Sequence, residues 1–470
     1  MIVELAGSQP ESGNSLVERP KDLTSEVKLA MLTIDAPTGS LPNFLRAQIP
    51  GEVMLWEPAG TECGESAWHM AGRGVAARWD ADGIDRLGEI RERANAVLNR
   101  IEEWREPIVP HAPAMRVFGG VAFGVGSTPA ESPWAPFGEA SFVIPRWIYG
   151  EREGRAFARL CVNSAELAVP AKLENEIASM RSALSRTPVS LPDARDESAA
   201  MLNEETSPDT WAAQVESALA AIRKGALSKV VLTRRTHVRM ANAFDLGRAR
   251  ERLADIDPDC LRFAIQRGGA TFLGGTPERL VELRGKLVVC NALGGSLPRG
   301  GDEIGESTQL LGSAKDRREH QAVVDGIHES LSPFCDLVEA DGPPTIRTLR
   351  SIHHLQTSIT GHLRHETHVL DLVSALHPTP AVSGLPRAAA ERWISTHEKL
   401  SRGWYAAPIG WFDAAGDGCF AVGIRSALVV DREAWLIAGC GIVEGSEPAL
   451  EYAEGSAKQR TMLHALGLSA

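Results

Sequence analysis

The sequence has no excess of positive charge, which argues against most nucleic-acid-binding proteins. It contains 49 lysine and arginine residues against 61 aspartate and glutamate residues, a formal net charge of −12. Surfaces that bind phosphate backbones or anionic membranes need clustered basic residues to neutralise them. We therefore expect neither a nucleic acid nor a membrane among the partners of this chain.

Long apolar runs and paired cysteine motifs are also missing. No stretch approaches the length that a membrane-spanning helix needs, and the N-terminus lacks the basic and apolar regions of a secretory signal. The seven cysteines are scattered and form no C-x-x-C motif. This argues against a zinc site and indicates reduced thiols in a cytoplasmic protein. With 43% hydrophobic residues over 470 residues, the chain can bury a large core.

The apolar pattern predicts strands joined by tight turns and interrupted by helices, which is typical of an α+β fold. We interpret residues 1–24 as a flexible leader, 25–200 as the N-terminal portion of the fold and 201–470 as its catalytic region. The stretch Ser185–Asp209 is rich in proline, serine and acidic residues. It is predicted to be a surface connection between these two portions.

Helical spacing and alternation place the elements that matter for the site. Helices are predicted over Ile84–Trp104, Trp211–Lys224, Lys315–Leu331 and Pro448–Leu466. Strands are predicted over Met54–Trp56, Arg116–Gly126, Ala140–Pro145, Lys229–Arg235, Phe272–Leu283, Ala406–Phe412, Cys419–Val430 and Trp435–Val443.

Two of the predicted helices carry glutamates that are candidate metal ligands. Glu319 shares a stripe with Val323 and Ile327, and a carboxylate on a buried face needs a positive partner. In the last helix, Glu451 and Glu454 share one face with Lys458, which by itself is typical of a solvated face with Glu–Lys pairs. Carboxylates that converge from two helices would suit a hard cation such as Mg²⁺.

Two further residues are candidates for acid–base chemistry. Lys229 opens an otherwise apolar strand, and Glu278 follows a proline in a turn between strands. A lysine at a strand end and a glutamate in a turn are usually solvated. A lysine whose pKa is lowered by burial would instead act as a base. Spacing alone does not bring these two residues and the helical glutamates together.

Eight ordered segments resemble one family and cover about Trp211–Leu466. They are KVVLTRR, FLGGTPERL, SAKDRREHQAVV, SIHHLQTSITG, LHPTPAVSGLPR, RGWYAAPIGW, FAVGIRSALV and AGCGIVEGSEPALEYAEGSAK. Together they resemble the chorismate-utilising enzymes: isochorismate synthase, salicylate synthase, anthranilate synthase component I and aminodeoxychorismate synthase. The resemblance implies a single large chorismate-binding fold, with two packed antiparallel sheets and outer helices.

Three positions favour isochorismate synthase within this family. Lys229 stands where water-using members carry a lysine base and the anthranilate synthases carry glutamine. Gly294 stands where aminodeoxychorismate synthases often carry a nucleophilic lysine. Ala381 replaces the threonine typical of salicylate synthases, which also expel pyruvate from isochorismate. Salicylate synthase therefore stays the main alternative, followed by anthranilate or aminodeoxychorismate synthase and by a non-catalytic chorismate-binding protein.

The resemblance also implies roles for individual residues. Lys229 would be the base that activates water for attack at ring C2, and Glu278 the acid that protonates the departing C4 hydroxyl. Mg²⁺ would be held by Glu319, Glu451 and Glu454. Contacts with chorismate are expected from His354, Ala381, Tyr405, Arg425, Gly439, Gly441 and Lys458. A water-using enzyme needs no glutamine amidotransferase subunit, and we expect a monomer.

Overall fold

The computed structural model describes residues 28–47, 51–60, 67–109, 111–186 and 201–468. The predicted leader, residues 1–24, lies outside them. Strands β1 to β23 are, in chain order, Leu29–Asp35, Val53–Glu57, His69–Arg73, Ala77–Ala81, Glu102–Arg105, Arg116–Val121, Ala140–Ile144, Trp147–Arg152, Arg155–Asn163, Met201–Glu204, Lys229–Arg239, Leu261–Arg267, Ala270–Thr276, Arg279–Arg284, Leu287–Pro298, Cys335–Ala340, Thr345–Thr348, Ile352–Leu363, Gly384–Leu385, Pro408–Asp413, Gly418–Val422, Ser426–Val430 and Glu433–Ile442.

The helices connect or cover these strands. Helices α1 to α11 are, in chain order, Leu41–Arg46, Arg86–Leu98, Ser164–Leu167, Pro170–Leu184, Pro208–Arg223, Leu246–Ile256, Glu303–Gly312, Ala314–Leu331, Val369–Leu376, Arg387–His397 and Pro448–Ala465. Among the described residues, no helix combines the length and the apolar composition needed to cross a bilayer.

The strands form two large sheets. The first has the order β10-β11-β23-β22-β13-β12-β2-β3-β8-β9-β1-β5, with β19 paired to β11. The second has the order β16-β18-β15-β14-β21-β20-β6-β7-β4, with β17 paired to β18. Neighbouring strands are antiparallel, except for the parallel pair of β1 and β5. Strands from both portions of the chain occur in both sheets, so residues 25–200 and 201–470 share one framework.

The main hydrophobic core lies between the sheets, and helices cover their outer faces. Trp56, Phe118, Phe272 and Phe420 come from both sheets and belong to one buried cluster. Separate clusters bury α1 and α4, and α6 with α11, against the first sheet. The α+β class with two packed sheets and outer helices is therefore confirmed. The six described cysteines are free and buried.

Three boundaries differ from the sequence prediction. The helix predicted over Ile84–Trp104 ends at Leu98, and the residues after it form β5, which pairs with β1. Part of the predicted surface connection, residues 201–204, forms the edge strand β10. The strand predicted over Cys419–Val430 is broken at residues 423–425. It breaks because its first half pairs in the second sheet and its second half in the first.

Two crossings between the sheets position the site. Between β13 and β14 the chain passes from the first sheet to the second through Pro277 and Glu278, and between β21 and β22 it returns through Arg425. The crossings touch, since the Val422 amide donates to the Glu278 carbonyl at 3.0 Å. Arg425 has a φ of 50°, a left-handed conformation that is uncommon for a residue with a side chain.

Candidate active site

Residues far apart in sequence line one cavity between the crossings, α8 and α11. The predicted site residues on its wall are Glu278, Glu319, His354, Ala381, Tyr405, Arg425, Gly439, Gly441 and Lys458. The other three, Lys229, Glu451 and Glu454, lie directly behind this wall. The fold therefore brings into one region what spacing alone left apart.

Lys229 is buried, not solvated as its place at a strand end suggested. It is 2% exposed, and its Nζ lies 3.0 Å from Glu319 Oε1 on α8. The ion pair needs glycine on the neighbouring strand. A Cβ at Gly441 would lie 2.5 Å from Glu319 Oε1 and 2.9 Å from Lys229 Cε. Burial alone would raise the pKa of Glu319, but Lys229, with smaller contributions from Lys458 and Lys315, outweighs burial and lowers it.

Glu278 is also buried, although a turn residue is usually solvated. It is 4% exposed. Burial raises its pKa to about 8, and the cations of Lys229, Arg425 and Lys458 offset burial only in part. A carboxyl group with this pKa keeps its proton at neutral pH and is able to donate it.

Arg425 and His354 form a polar pair on the wall of the cavity. Arg425 Nη2 lies 2.6 Å from His354 Nε2, and His354 Nδ1 lies 2.9 Å from Ser296 Oγ. Burial and the Arg425 cation hold the pKa of His354 well below its usual range. A guanidinium only donates, so Nε2 is the acceptor and Nδ1 carries the proton. The neutral histidine therefore orients Arg425 without adding charge.

Lys458 connects α11 to the glycine-rich strand β23. Its Nζ donates to the Gly439 carbonyl at 2.8 Å and lies 2.6 Å from Glu454 Oε1. Burial alone would lower the pKa of Lys458, but Glu454 and Cys440 together outweigh burial and raise it. A Cβ at Gly439 would lie 3.4 Å from the hydroxyl of Tyr405, a buried residue.

The C-terminal helix does not present its glutamates to solvent, so the interpretation as a solvated face is wrong. Glu451 is 3% exposed, and Lys315 Nζ approaches it to 3.0 Å from α8. Burial and the nearby Glu454 raise the pKa of Glu451. Helical spacing placed these residues correctly on one face but gave no information about what covers that face.

The geometry described so far can be compared with known proteins. A family model described as chorismate binding enzyme matches residues 24–467. The chain belongs to this family. It is 39% identical to the salicylate biosynthesis isochorismate synthase of Pseudomonas aeruginosa, over 80% of this chain and 81% of that protein. It is 35% identical to the isochorismate synthase MenF of Bacillus subtilis, over 75% and 74% of the two chains.

A solved structure agrees at the level of the fold. The menaquinone-specific isochorismate synthase MenF of Escherichia coli superposes with a TM-score of 0.76, covering 95% of this chain and 96% of its own. Its sequence is 24% identical, so this likeness concerns the fold alone. The family predicted from the eight sequence segments is confirmed.

The carboxylates of this chorismate-binding enzyme have the donor chemistry that a hard cation prefers. Glu451, Glu454 and Cys440 offer ligand atoms within 4.8 Å of one another. Burial raises the pKa of Cys440, and its thiol lies 3.2 Å from the Glu451 carbonyl, so oxygen atoms are the available ligands. Among the described residues, Glu319 is not part of this cluster, and its carboxylate lies 3.0 Å from Lys229 Nζ.

Arg402 was not singled out from the sequence, although it lies in a segment that carries the family resemblance. It is 3% exposed and pairs with Glu398 at 2.6 Å. It donates to the carbonyls of Val231 and Val382, each at 2.8 Å. Arg402 thus ties β11, which begins with Lys229, to the loop that carries Ala381. The sequence indicated Arg402 only through its position next to Gly403 and near Tyr405. That position shows that Arg402 lies near the site, but it does not show these contacts.

Proposed function

We propose that this chain is an isochorismate synthase. Its Lys229 and Glu278 would act from opposite ends of one reaction, the addition of water at ring C2 and the loss of the C4 hydroxyl. The water oxygen forms a bond to C2, and Lys229 accepts its proton. Each ring double bond moves by one position, and the C4–O bond breaks as Glu278 gives its proton to the departing hydroxyl. Atoms balance, so the product is an isomer of chorismate.

The observation that carries the proposal is the protonated carboxyl group of Glu278 on the cavity wall, with the buried amino group of Lys229 directly behind that wall. A leaving hydroxide needs a proton donor, and the pKa of Glu278, about 8, keeps it protonated. Lys229 is the nitrogen base that a water nucleophile requires. Position 294 offers no competing nucleophile, and a side chain there would begin 3.3 Å from His320 on α8. The two curated relatives named above are isochorismate synthases by name, which favours the same reaction.

Magnesium is part of the proposal. Glu319, Glu451 and Glu454 would hold it, and it would neutralise and orient the ring carboxylate of the substrate. Each of these glutamates has a lysine within 3.0 Å, namely Lys229, Lys315 or Lys458. The pairs with Lys315 and Lys458 cancel in charge, and Lys229 is neutral when it accepts the proton of water, so a divalent cation would add the positive charge that a dianionic substrate needs.

The enolpyruvyl carboxylate would be bound by Arg425 and Tyr405. A guanidinium recognises a carboxylate through two parallel hydrogen bonds, and His354 fixes its orientation. The backbone at Gly439 and Gly441 would lie against the ligand, since neither residue has a side chain. The proposal also includes a cytoplasmic monomer without an amidotransferase subunit, which size-exclusion chromatography with light scattering would test.

Product analysis tests the proposal. The purified chain is incubated with chorismate and Mg²⁺, with and without ammonium, and the products are separated by chromatography. We expect isochorismate in both reactions. Salicylate and pyruvate formed in step with chorismate loss would favour salicylate synthase and overturn the argument from Ala381. Anthranilate or aminodeoxychorismate as the main product would reject Lys229 as a base for water.

Chelation tests the metal. EDTA should abolish turnover, and excess Mg²⁺ should restore it. Glu454→Gln should raise the Mg²⁺ concentration required for half-maximal activity. Glu447, the residue preceding α11, provides a matched control, because Glu447→Gln removes a carboxylate from the same helix end but not from the cavity. Full turnover by metal-free protein would reject the assignment.

A further inference from the structure

A second cavity, of about 440 Å³, lies on the outer face of the first sheet. Strands β2, β12 and β13 form its floor, and helices α1 and α6 form its sides. Its wall includes the apolar side chains of Leu55, Leu253 and Leu273. It shares no lining residue with the catalytic cavity. Its volume is within the range typical of small-molecule sites.

Positive charge dominates this wall, in contrast to the acidic chain as a whole. Five arginines line the cavity, against one aspartate and one glutamate. The complete chain has a formal net charge of −12, so a local excess of cations is not what average composition would give. The first turn of α6 also lines the cavity, and the N-terminus of a helix carries partial positive charge.

One of these arginines is buried and shares the carboxylate of its ion pair with a second arginine. The nearest carboxylate is Glu57, which is 2% exposed. Arg250 binds both oxygens of Glu57, at 2.8 and 2.5 Å. Arg262 is only 8% exposed, yet its Nε reaches Glu57 at 3.5 Å and has no hydrogen-bond partner. A single carboxylate thus faces two guanidinium groups, one buried on Arg262 and one partly buried on Arg250.

We propose that this cavity binds a small organic anion, in which a carboxylate or sulfonate is attached to an aromatic or branched apolar body. The acid group lies beside Arg262 and supplies the missing negative charge. The apolar body contacts Leu55, Leu253 and Leu273. A buried cation that shares one carboxylate with a second cation is incompletely neutralised, so an anion bound there relieves a cost that the unliganded protein carries.

Fluorescence titration with anilinonaphthalene sulfonate tests this proposal on the full chain. This probe joins an aromatic body to one sulfonate. We expect one saturable site per chain, and saturating chorismate with Mg²⁺ should not displace the probe. Arg262→Gln should weaken its binding about tenfold or more, because a charge-assisted contact is lost. Turnover of chorismate should stay unchanged, so the result is independent of the proposed function.

Two controls separate charge from folding. Phenylnaphthylamine has the same body without the sulfonate, so Arg262→Gln should leave its affinity within about twofold if the cavity is intact. Glu251→Gln removes a carboxylate from the same wall and should strengthen sulfonate binding. The proposal is overturned if the sulfonate does not saturate one site, if chorismate displaces it, or if neither variant changes its affinity.

Discussion

Two glutamates are buried to almost the same degree: Glu278 in the catalytic cavity is 4% exposed, and Glu57 is 2% exposed. Glu57 lies beside the second cavity, on the outer face of the first sheet, which is called the outer cavity below. Glu278 is neutral at pH 7, whereas Glu57 is ionised. Burial raises the pKa of Glu278 to about 8, and it has no ion-pair partner among the described residues. Burial would raise the pKa of Glu57 as well, but His69, Arg250 and Arg262 outweigh it and lower the pKa to about 2.

The difference shows that burial alone does not set the function of an acidic residue. A cation at some distance leaves Glu278 protonated, which suits a proton donor. A guanidinium bound to both oxygens keeps Glu57 ionised, which suits a structural ion pair. Replacement by glutamine should therefore reduce activity at Glu278 and stability at Glu57.

Glu278→Gln should have the largest effect, and the effect should be on activity. Glutamine keeps the shape but has no proton to give, so we expect turnover of chorismate to fall by about 10³-fold. Stability should not fall, because the replaced group is already neutral at pH 7. Initial rates and thermal unfolding of the same preparation measure both quantities. Retention of more than a tenth of the activity would contradict the role as acid.

Glu57→Gln should affect stability instead. The substitution leaves the buried Arg262 and the partly buried Arg250 without their carboxylate, and breaking a buried pair costs about 3–5 kcal/mol. Denaturant unfolding measures this cost, and the remaining folded protein should turn over chorismate at the original rate. Glu52→Gln removes a carboxylate that directly precedes β2 and pairs with Arg78, so it is the control and should cost about 1 kcal/mol or less. Equal losses for the two variants would contradict the comparison.

The sequence predicts these two glutamates to different extents. The family segments identify Glu278 and the other site residues, because each of these residues lies in or beside a segment that resembles the family. Glu57 and its two arginine partners have no such signal in the sequence, since Arg250 and Arg262 lie about two hundred residues after Glu57. Their meeting depends on how β2 pairs with β12, with Arg262 opposite Glu57. Pairing between distant strands is not encoded in local spacing.

The fold shows the same division between local and distant information. Periodicity located α8 and α11 within a few residues, because a helix depends on nearby positions. Periodicity missed the break between β21 and β22 at residues 423–425, since FAVGIRSALV is mostly apolar and was predicted as one strand. The break depends on a crossing between two sheets, and the left-handed Arg425 lies within it. Burial of Glu451 was missed for the same reason, because α8 and β23 cover it.

The pH dependence of stability should differ in sign for the two glutamates. The folded-state pKa of Glu278, about 8, exceeds the unfolded value near 4.5, so its contribution is complete below pH 4.5 and is lost as pH rises towards 8. Between pH 5 and 7 this loss is about 2 kcal/mol. The folded-state pKa of Glu57, about 2, is depressed, so its contribution is present above pH 4.5 and is lost towards pH 2.

Unfolding measured across pH separates these contributions. Glu278→Gln should make the decline in stability between pH 5 and 7 less steep. It should leave the loss of stability below pH 4.5 unchanged. Glu57→Gln should make the loss of stability below pH 4.5 less steep. Between pH 5 and 7 the free energy of unfolding should change with pH as it does in the original protein. If Glu278→Gln leaves the neutral slope as it was, Glu278 ionises in the folded state at ordinary pH, and its assignment as proton donor fails.

The smallest effect should come from Arg262, and it separates the two arginines that face Glu57. Arg250→Gln removes the partner that binds both carboxylate oxygens, so we expect a loss of about 3 kcal/mol. Arg262→Gln removes a buried cation whose nearest carboxylate oxygen is already engaged, at 3.5 Å. The desolvation penalty of that cation disappears with it, so we expect a change of about 1 kcal/mol or less, in either direction. Denaturant unfolding of both variants at pH 7 measures the difference. Equal losses would mean that Glu57 needs both guanidinium groups, and that the outer cavity has no spare positive charge for an anion.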